Sequence, residues 1–167
     1  MPSTYRKQYE KYIKPHGDEM DYYFEHPEAF YNAQRRVVNK VADDYFSAKV
    51  GIIMDKIQQG KTLIYTNWLD FGVQPIKASL ENSGIRYGMF TGKLSKDKRD
   101  ALVHKFNTDE IDALILTSAG AEGLDLKGTK NVIILDPPWH PAGLNQIIGR
   151  AIRYGSHQHL PKHERKV

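Results

Sequence analysis

ALILTSAGAEGLDLKGTKNVIILD, residues 113–136, is the most informative stretch for the fold, because it predicts two almost wholly apolar strands joined by a loop of small residues. Two more strands are predicted upstream, at TLIYT (62–66) and IRYGMF (85–90). Helical patterns alternate with these strands at 69–82, 95–106 and 141–154. Strands this apolar are buried on both faces. We therefore predict an α/β fold, a three-layer sandwich with a mostly parallel central sheet covered by helices on each side.

The chain changes character near residue 60. Before that point it is polar and aromatic, with a helical pattern from Phe30 to Gln59 and an earlier stripe formed by Tyr5, Tyr9 and Tyr12. This stripe is expected to pack on a larger body. We predict an N-terminal helical extension over residues 1–59 and one α/β domain over residues 60–167.

Composition fits a soluble domain with a real core, since 40% of the 167 residues are hydrophobic. No apolar run approaches the ~20 residues that a membrane span needs. The N-terminus lacks the apolar stretch of a signal peptide. There is no cysteine, which fits a reducing compartment. These features favour an intracellular protein with no membrane partner.

The positive charge of the chain is local. Between residues 149 and 167 there are five basic residues and one acidic residue, whereas the other 148 residues hold 19 of each sign. A local basic patch is typical of a surface that meets phosphates, although a solvated basic tail explains it equally well.

One helical stretch, LNQIIGRAIRYGSH (144–157), carries the chemistry. On a helix, Gln146, Arg150 and Arg153 fall within an arc of about 60°, with apolar side chains on the opposite side. Two guanidinium groups that point the same way can grip phosphoryl oxygens bidentately. Taken alone, the pattern also fits a helix with two surface arginines.

Four loops follow the carboxyl ends of the predicted strands, where ligands bind in folds of this kind. They are TNW (66–68), FTGK (90–93), TSAGAEG (117–123) and DPPWH (136–140).

These stretches, in this order, resemble the second RecA-like lobe of superfamily 2 helicases. KTLIYTNW (61–68) looks like motif IV, TSAGAEGLDL (117–126) like motif V, and QIIGRAIR (146–153) like motif VI. FTGKLSKDKR (90–99) resembles the Swi/Snf-type version of the motif between them. GRAIRYGSHQHLPKHERKV (149–167) is similar to motors of large DNA viruses, of the poxvirus early transcription factor and nucleoside triphosphate phosphohydrolase I type.

The resemblance implies an ATP-dependent nucleic-acid motor in which a first lobe holds ATP and Mg²⁺. Arg150 and Arg153 would be arginine fingers, with Gln146 on the γ-phosphate side. Asp125 would meet the ribose, and Gly123 would allow close approach. The nucleic-acid track would be formed by Thr117, Ser118, Gly92, Lys93 and Asn67. DNA is favoured over RNA, and a viral protein would act in the virion or host cytoplasm.

Two departures from the Swi/Snf pattern speak against a chromatin-type function. His140 stands where that family has asparagine after the tryptophan of the DPPW region. Residues 153–156 read RYGS where that family often has RIGQ.

Two alternatives stay open. Residues 60–62 (GKT) end like a phosphate-binding P-loop, but that motif requires glycine where Asp55 stands, so the chain lacks the element and could be a non-hydrolysing binding module. DPPW (136–139) also resembles the catalytic motif of amino-methyltransferases. His157, His159 and His163 lie close in sequence, yet they are expected to face solvent rather than bind a metal.

Overall fold

The computed structural model of the chain describes residues 36, 39, 49–92, 94–118, 124–137, 141–151, 156–158 and 161–162. In this part of the chain, four parallel strands form one sheet in the order β2-β3-β1-β4. The strands are β1 (Thr62–Tyr65), β2 (Tyr87–Phe90), β3 (Ala113–Leu116) and β4 (Asn131–Ile134). The predicted α/β fold with a parallel sheet is confirmed.

Helices occupy the intervals that the sequence pattern indicated. They are α1 (Val50–Gln58), α2 (Gln74–Asn82), α3 (Lys96–Asn107) and α4 (Pro141–Ala151). A π-helical turn, Leu69–Val73, leads directly into α2. The predicted helix 141–154 is seen as far as Ala151, and residues 152–155 lie outside the described part of the chain.

Side chains alternate between the two faces of the sheet, as the two-residue period of a strand requires. On one face, Leu114 and Leu116 share an apolar cluster with Phe106 of α3 and Ile147 of α4. On the other face, Ile115 packs in a second cluster, whose helical members are Ile53, Ile57, Ile76 and Leu80 of α1 and α2. The helices therefore cover both faces, and the three-layer sandwich is confirmed.

The N-terminal region is described only in part. Ile53 and Ile57 of α1 are buried on the sheet, so this helix belongs to the same packed body. Residues 1–35, including the predicted tyrosine stripe, lie outside the described residues. The division of the chain at residue 60 stays a prediction.

Lys61 lies in the GKT stretch (60–62) that resembles the end of a P-loop, and it has a structural role. Its Nζ donates to the Phe106 carbonyl at 3.0 Å and lies 2.8 Å from the Asp109 carboxylate. The Phe106 carbonyl belongs to the last turn of α3, where carbonyl groups lack helical partners and a cation is favourable. Lys61 therefore caps α3 instead of cradling a phosphate.

Candidate functional site

The four strands end level with one another. Tyr65 is paired with Leu116 and with Ile134, and Phe90 is paired with Leu116. The residues that follow the strands therefore emerge side by side, in a row about 14 Å long at ~4.8 Å per strand. This is the carboxyl edge of the sheet, where α/β folds bind ligands.

Two predicted contact residues are exposed at this edge. Gly92 follows β2 with a φ of 80°, in the left-handed region that favours glycine, and no atom lies within 4 Å of the place a Cβ would occupy. Ser118 follows β3 and is exposed. Lys93 lies outside the described residues. At these two positions the backbone and a hydroxyl are open to a ligand.

Two other predicted contacts point back into the fold. The Thr117 hydroxyl donates to the Phe90 carbonyl at 3.2 Å, and Thr117 is 5% exposed. Asn67 is half-buried; its Oδ1 accepts from the Tyr65 hydroxyl at 2.7 Å and its Nδ2 donates to the Asp136 carbonyl at 3.4 Å. Thr117 and Asn67 therefore fix the shape of this edge.

Asp136 is the centre of a buried polar cluster at the same edge. Its side chain accepts from the Thr66 hydroxyl at 2.5 Å, from the Asn67 backbone N–H at 3.3 Å, and from the Asn39 amide. The Lys49 ammonium joins the cluster by donating to Asn39 Oδ1 at 2.7 Å. Asp136 is 1% exposed, and three donors satisfy its carboxylate, as a buried charge requires.

The Asp136 cluster was missed at the sequence level. The sequence does carry one signal for it, an aspartate that ends an apolar strand and is followed by two prolines. At the sequence level, that aspartate is interpreted only as part of a possible amino-methyltransferase motif. That alternative needs the carboxylate to hold a substrate amine, whereas here protein donors occupy it. Asp136 thus has a structural role that joins the segment before the sheet to the end of β1.

Close packing surrounds this cluster. A Cβ placed on Gly72, in the π-helical turn, would lie 2.0 Å from the Thr66 hydroxyl oxygen. Since that hydroxyl is bound to Asp136, it cannot turn away freely. Nearby, the Arg36 guanidinium lies 4.1 Å from the centre of the Trp68 ring, within cation–π distance.

Asp125 is held in an irregular segment, residues 124–130, that we call the Asp125 segment. Leu124 and Leu126 are buried at 1% and 0% exposure, whereas Asp125 between them is exposed. The Asn107 side chain fixes the backbone, because Nδ2 donates to the Asp125 carbonyl at 3.0 Å and Oδ1 accepts from the Lys127 N–H at 2.8 Å. Gly123 lies outside the described residues. Asn107 carried no sequence signal beyond its place at the end of a helix.

Helix α4 has the two faces that the sequence indicated. Ile147 is 5% exposed and belongs to the core, whereas Gln146 and Gly149 are exposed. Arg150 lies within α4, but its side chain and all of Arg153 fall outside the description. Of the predicted face, Gln146 is therefore open to solvent, and the orientation of the two arginines stays a prediction.

His157 contradicts the expectation that it faces solvent. It is 8% exposed, with Nδ1 2.7 Å from the Ser156 hydroxyl oxygen and Nε2 2.7 Å from the Thr129 carbonyl oxygen. His159 and His163 lie outside the described residues. The described residues contain no group of three His, Cys, Asp or Glu side chains suited to a metal, and no helix among them could cross a membrane.

The parallel sheet, the helices on both of its faces and the level strand ends form the architecture of a RecA-like lobe. The chain belongs to the family of the helicase conserved C-terminal domain, which matches residues 46–155. This confirms the predicted membership and RecA-like fold.

Two of the proteins that this chain is similar to come from viruses. The chain is 41% identical over 142 residues to the "Putative ATP-dependent RNA helicase L538" of Acanthamoeba polyphaga mimivirus, covering 83% of this chain and 32% of that protein. It is 34% identical to the nucleoside triphosphatase I of Melanoplus sanguinipes entomopoxvirus, covering 65% and 18%. The crystal structure of the C-terminal part of the Fun30 ATPase domain is similar, with a TM-score of 0.61 and 26% identity over 68% of this chain and 39% of that one. The chain therefore spans a third or less of these viral relatives.

Proposed function

We propose that this chain is the second motor lobe of an ATP-dependent nucleic-acid helicase or translocase. The observation that carries the proposal is the level ending of the four strands, which brings Gly92, Ser118 and Asn67 to one edge of the sheet. Family membership and the names of the two viral relatives, an ATP-dependent helicase and a nucleoside triphosphatase, support the same function.

The proposed role of α4 is to complete the ATP site that a first lobe would form. Arg150 and Arg153 would bind the phosphoryl oxygens and stabilise the negative charge that develops there, an effect of about 10³–10⁵ in rate for arginine fingers. Gln146 would hold the γ-phosphate side. The exposed amide of Gln146 and the open backbone at Gly149 fit a polyanionic ligand.

The Asp125 segment would contact the other end of the nucleotide. The exposed Asp125 carboxylate suits a ribose hydroxyl group, and Gly123 would leave room for it. Mg²⁺ would neutralise phosphate charge and would be held mainly by the first lobe.

The strand-end edge would form the nucleic-acid track. Ser118 and the backbone at Gly92 would donate to phosphate oxygens, Lys93 would add a positive charge, and Thr117 and Asn67 would keep the edge in shape. Contacts of this kind read the backbone and not the bases. The preference for DNA over RNA stays a prediction, and the location proposed for the intact protein is intracellular, in the virion or the host cytoplasm.

The test is nucleic-acid-stimulated ATP hydrolysis by the full-length protein, with Arg153→Lys as the variant. Lysine keeps the charge but cannot make a bidentate contact, so turnover should fall steeply. Near-normal turnover in this variant would remove Arg153 from the proposed site. Salt-dependent nucleic-acid binding without any stimulated hydrolysis by the wild type would instead favour the non-hydrolysing binding module.

A further inference from the structure

A buried histidine follows the arginine-bearing helix. The Thr129 carbonyl oxygen can only accept, so His157 Nε2 must carry the hydrogen of that 2.7 Å contact. In the neutral ring, Nδ1 then accepts from the Ser156 hydroxyl at 2.7 Å. Both ring nitrogens are therefore satisfied inside the protein, and His157 offers neither to a ligand.

The backbone reinforces this contact. The Gly128 N–H donates to the Ser156 carbonyl at 3.2 Å, so Ser156 and His157 both bond to the Asp125 segment. We call these four residues, Gly128, Thr129, Ser156 and His157, the His157 latch. Thr129 and Ser156 are 0% and 4% exposed, so water is excluded from the contact.

The latch links two parts of the proposed ATP site. Helix α4 packs Ile147 into the same apolar cluster as Leu124 and Leu126 of the Asp125 segment. Ser156 lies five residues after Ala151, the last described residue of α4, and its carbonyl accepts from Gly128 of the Asp125 segment. Apolar contacts alone tolerate sliding, whereas a fully bonded buried polar group specifies one arrangement.

We infer that His157 is a positioning residue that fixes α4 and the Asp125 segment as one rigid unit. The inference rests on the proposed function, since it concerns how Arg150 and Asp125 are positioned to contact the same nucleotide. His157 itself does not touch the nucleotide. Misplacing catalytic groups by about 1 Å can cost ~10²-fold in rate, so loss of the latch should act on turnover.

The kinetic experiment uses the full-length protein with His157→Phe, His157→Gln and the control His104→Gln, which changes an exposed histidine on α3. Phenylalanine keeps a ring but removes both polar contacts. Glutamine keeps a donor for the Thr129 carbonyl. His157→Phe should lower kcat of nucleic-acid-stimulated hydrolysis by ~10–100-fold with little change in nucleic-acid affinity. His157→Gln should recover most of kcat, and His104→Gln should match the wild type.

A second readout does not depend on hydrolysis. Hydrogen exchange of peptides that cover residues 124–130 should be faster in folded His157→Phe than in the wild type, because without the bond between His157 and the Thr129 carbonyl the neighbouring contact from the Gly128 N–H to the Ser156 carbonyl opens more often. Exchange in peptides covering β1 and β3 should not change. Melting temperatures of all variants establish that each is folded at the assay temperature.

The outcomes separate the two proposals. Faster exchange with reduced kcat, both reversed by glutamine, supports the latch. Unchanged kcat or unchanged exchange in folded His157→Phe overturns it. Should His157→Phe not fold, Ser156→Ala decides by the same two readouts, with a smaller expected effect. A wild type without stimulated hydrolysis, or an Arg150→Ala variant with the wild-type rate, refutes the proposed function instead.

Discussion

Asp136→Ala removes the acceptor at the centre of the buried cluster, and its cost can be worked out from the contacts. The Thr66 hydroxyl and the Asn39 amide lose a charged partner, and both residues are buried at 0% and 1% exposure. Hydrogen bonds to charged groups contribute ~1.5–3 kcal/mol each, whereas the 3.3 Å contact from the Asn67 N–H adds less. Relief from burying the carboxylate offsets part of this, so we expect a loss of ~3–4 kcal/mol.

Asp136→Asn tests the geometry more finely. The asparagine amide has one acceptor, Oδ1, and one donor, Nδ2. In one orientation the new NH2 group faces the Asn39 NH2 group, and in the other it faces the Asn67 N–H, so two donors oppose each other in either case. We expect a loss of ~1.5–3 kcal/mol, smaller than for alanine. Asp100→Ala, at an exposed position on α3, is the control and should stay within ~0.5 kcal/mol of the wild type.

The assay is equilibrium unfolding of the chain in urea, followed by circular dichroism and tryptophan fluorescence. Trp68, two residues after Thr66, reports on the cluster. The expected order of stability is wild type, then Asp136→Asn, then Asp136→Ala. A loss below ~1 kcal/mol for both variants would contradict the role of Asp136 as the acceptor of this cluster, because two buried donors that lose their acceptor should destabilise the fold by more than that.

Three further predictions concern single contacts. Gly72→Ala should destabilise the fold by ~1–3 kcal/mol in the same urea assay, since its Cβ would overlap the Thr66 hydroxyl; unchanged stability would contradict that packing. Asn107→Ala in the full-length protein should raise KM for ATP, whereas Thr108→Ala should not, and equal KM values would remove Asn107 as a support of Asp125. Burial and the hydrogen bond to Glu81 raise the pKa of Tyr87 to about 12 from 10.0, so stability that is complete below pH 10 should fall as the pH rises toward 12. In urea titrations at alkaline pH, Tyr87→Phe should lack this loss of stability between pH 10 and 12. A pH profile identical to that of the wild type would contradict the assignment of the loss to Tyr87.

Periodic features of the sequence predicted the fold well. The apolar runs that became β1 and β3 are buried at every position, and alternation with helices implied both the parallel sheet and the three layers. The helical period also separated Ile147, in the core, from Gln146, at the surface. These signals are local and repeat every two or about 3.6 residues, so a single sequence carries them.

Contacts between distant residues were less predictable. Asn39 and Asp136 are 97 positions apart, and nothing in the sequence near either marks the other as its partner. His157 lies in a polar, basic stretch that predicts an exposed position. It is buried instead, where it contacts the carbonyl of Thr129, 28 residues away in the sequence. Asn107 looks like an ordinary helix end until the Asp125 segment is placed beside it.

In the proposed function, α4 supplies arginine fingers to an ATP-hydrolysing motor. The most direct test is single-turnover hydrolysis of prebound ATP by the full-length protein with nucleic acid present, comparing Arg150→Ala with the wild type. We expect a fall in the rate of the chemical step of about 10³-fold or more, with ATP affinity and nucleic-acid affinity nearly unchanged. An unchanged rate of the chemical step in Arg150→Ala would contradict it.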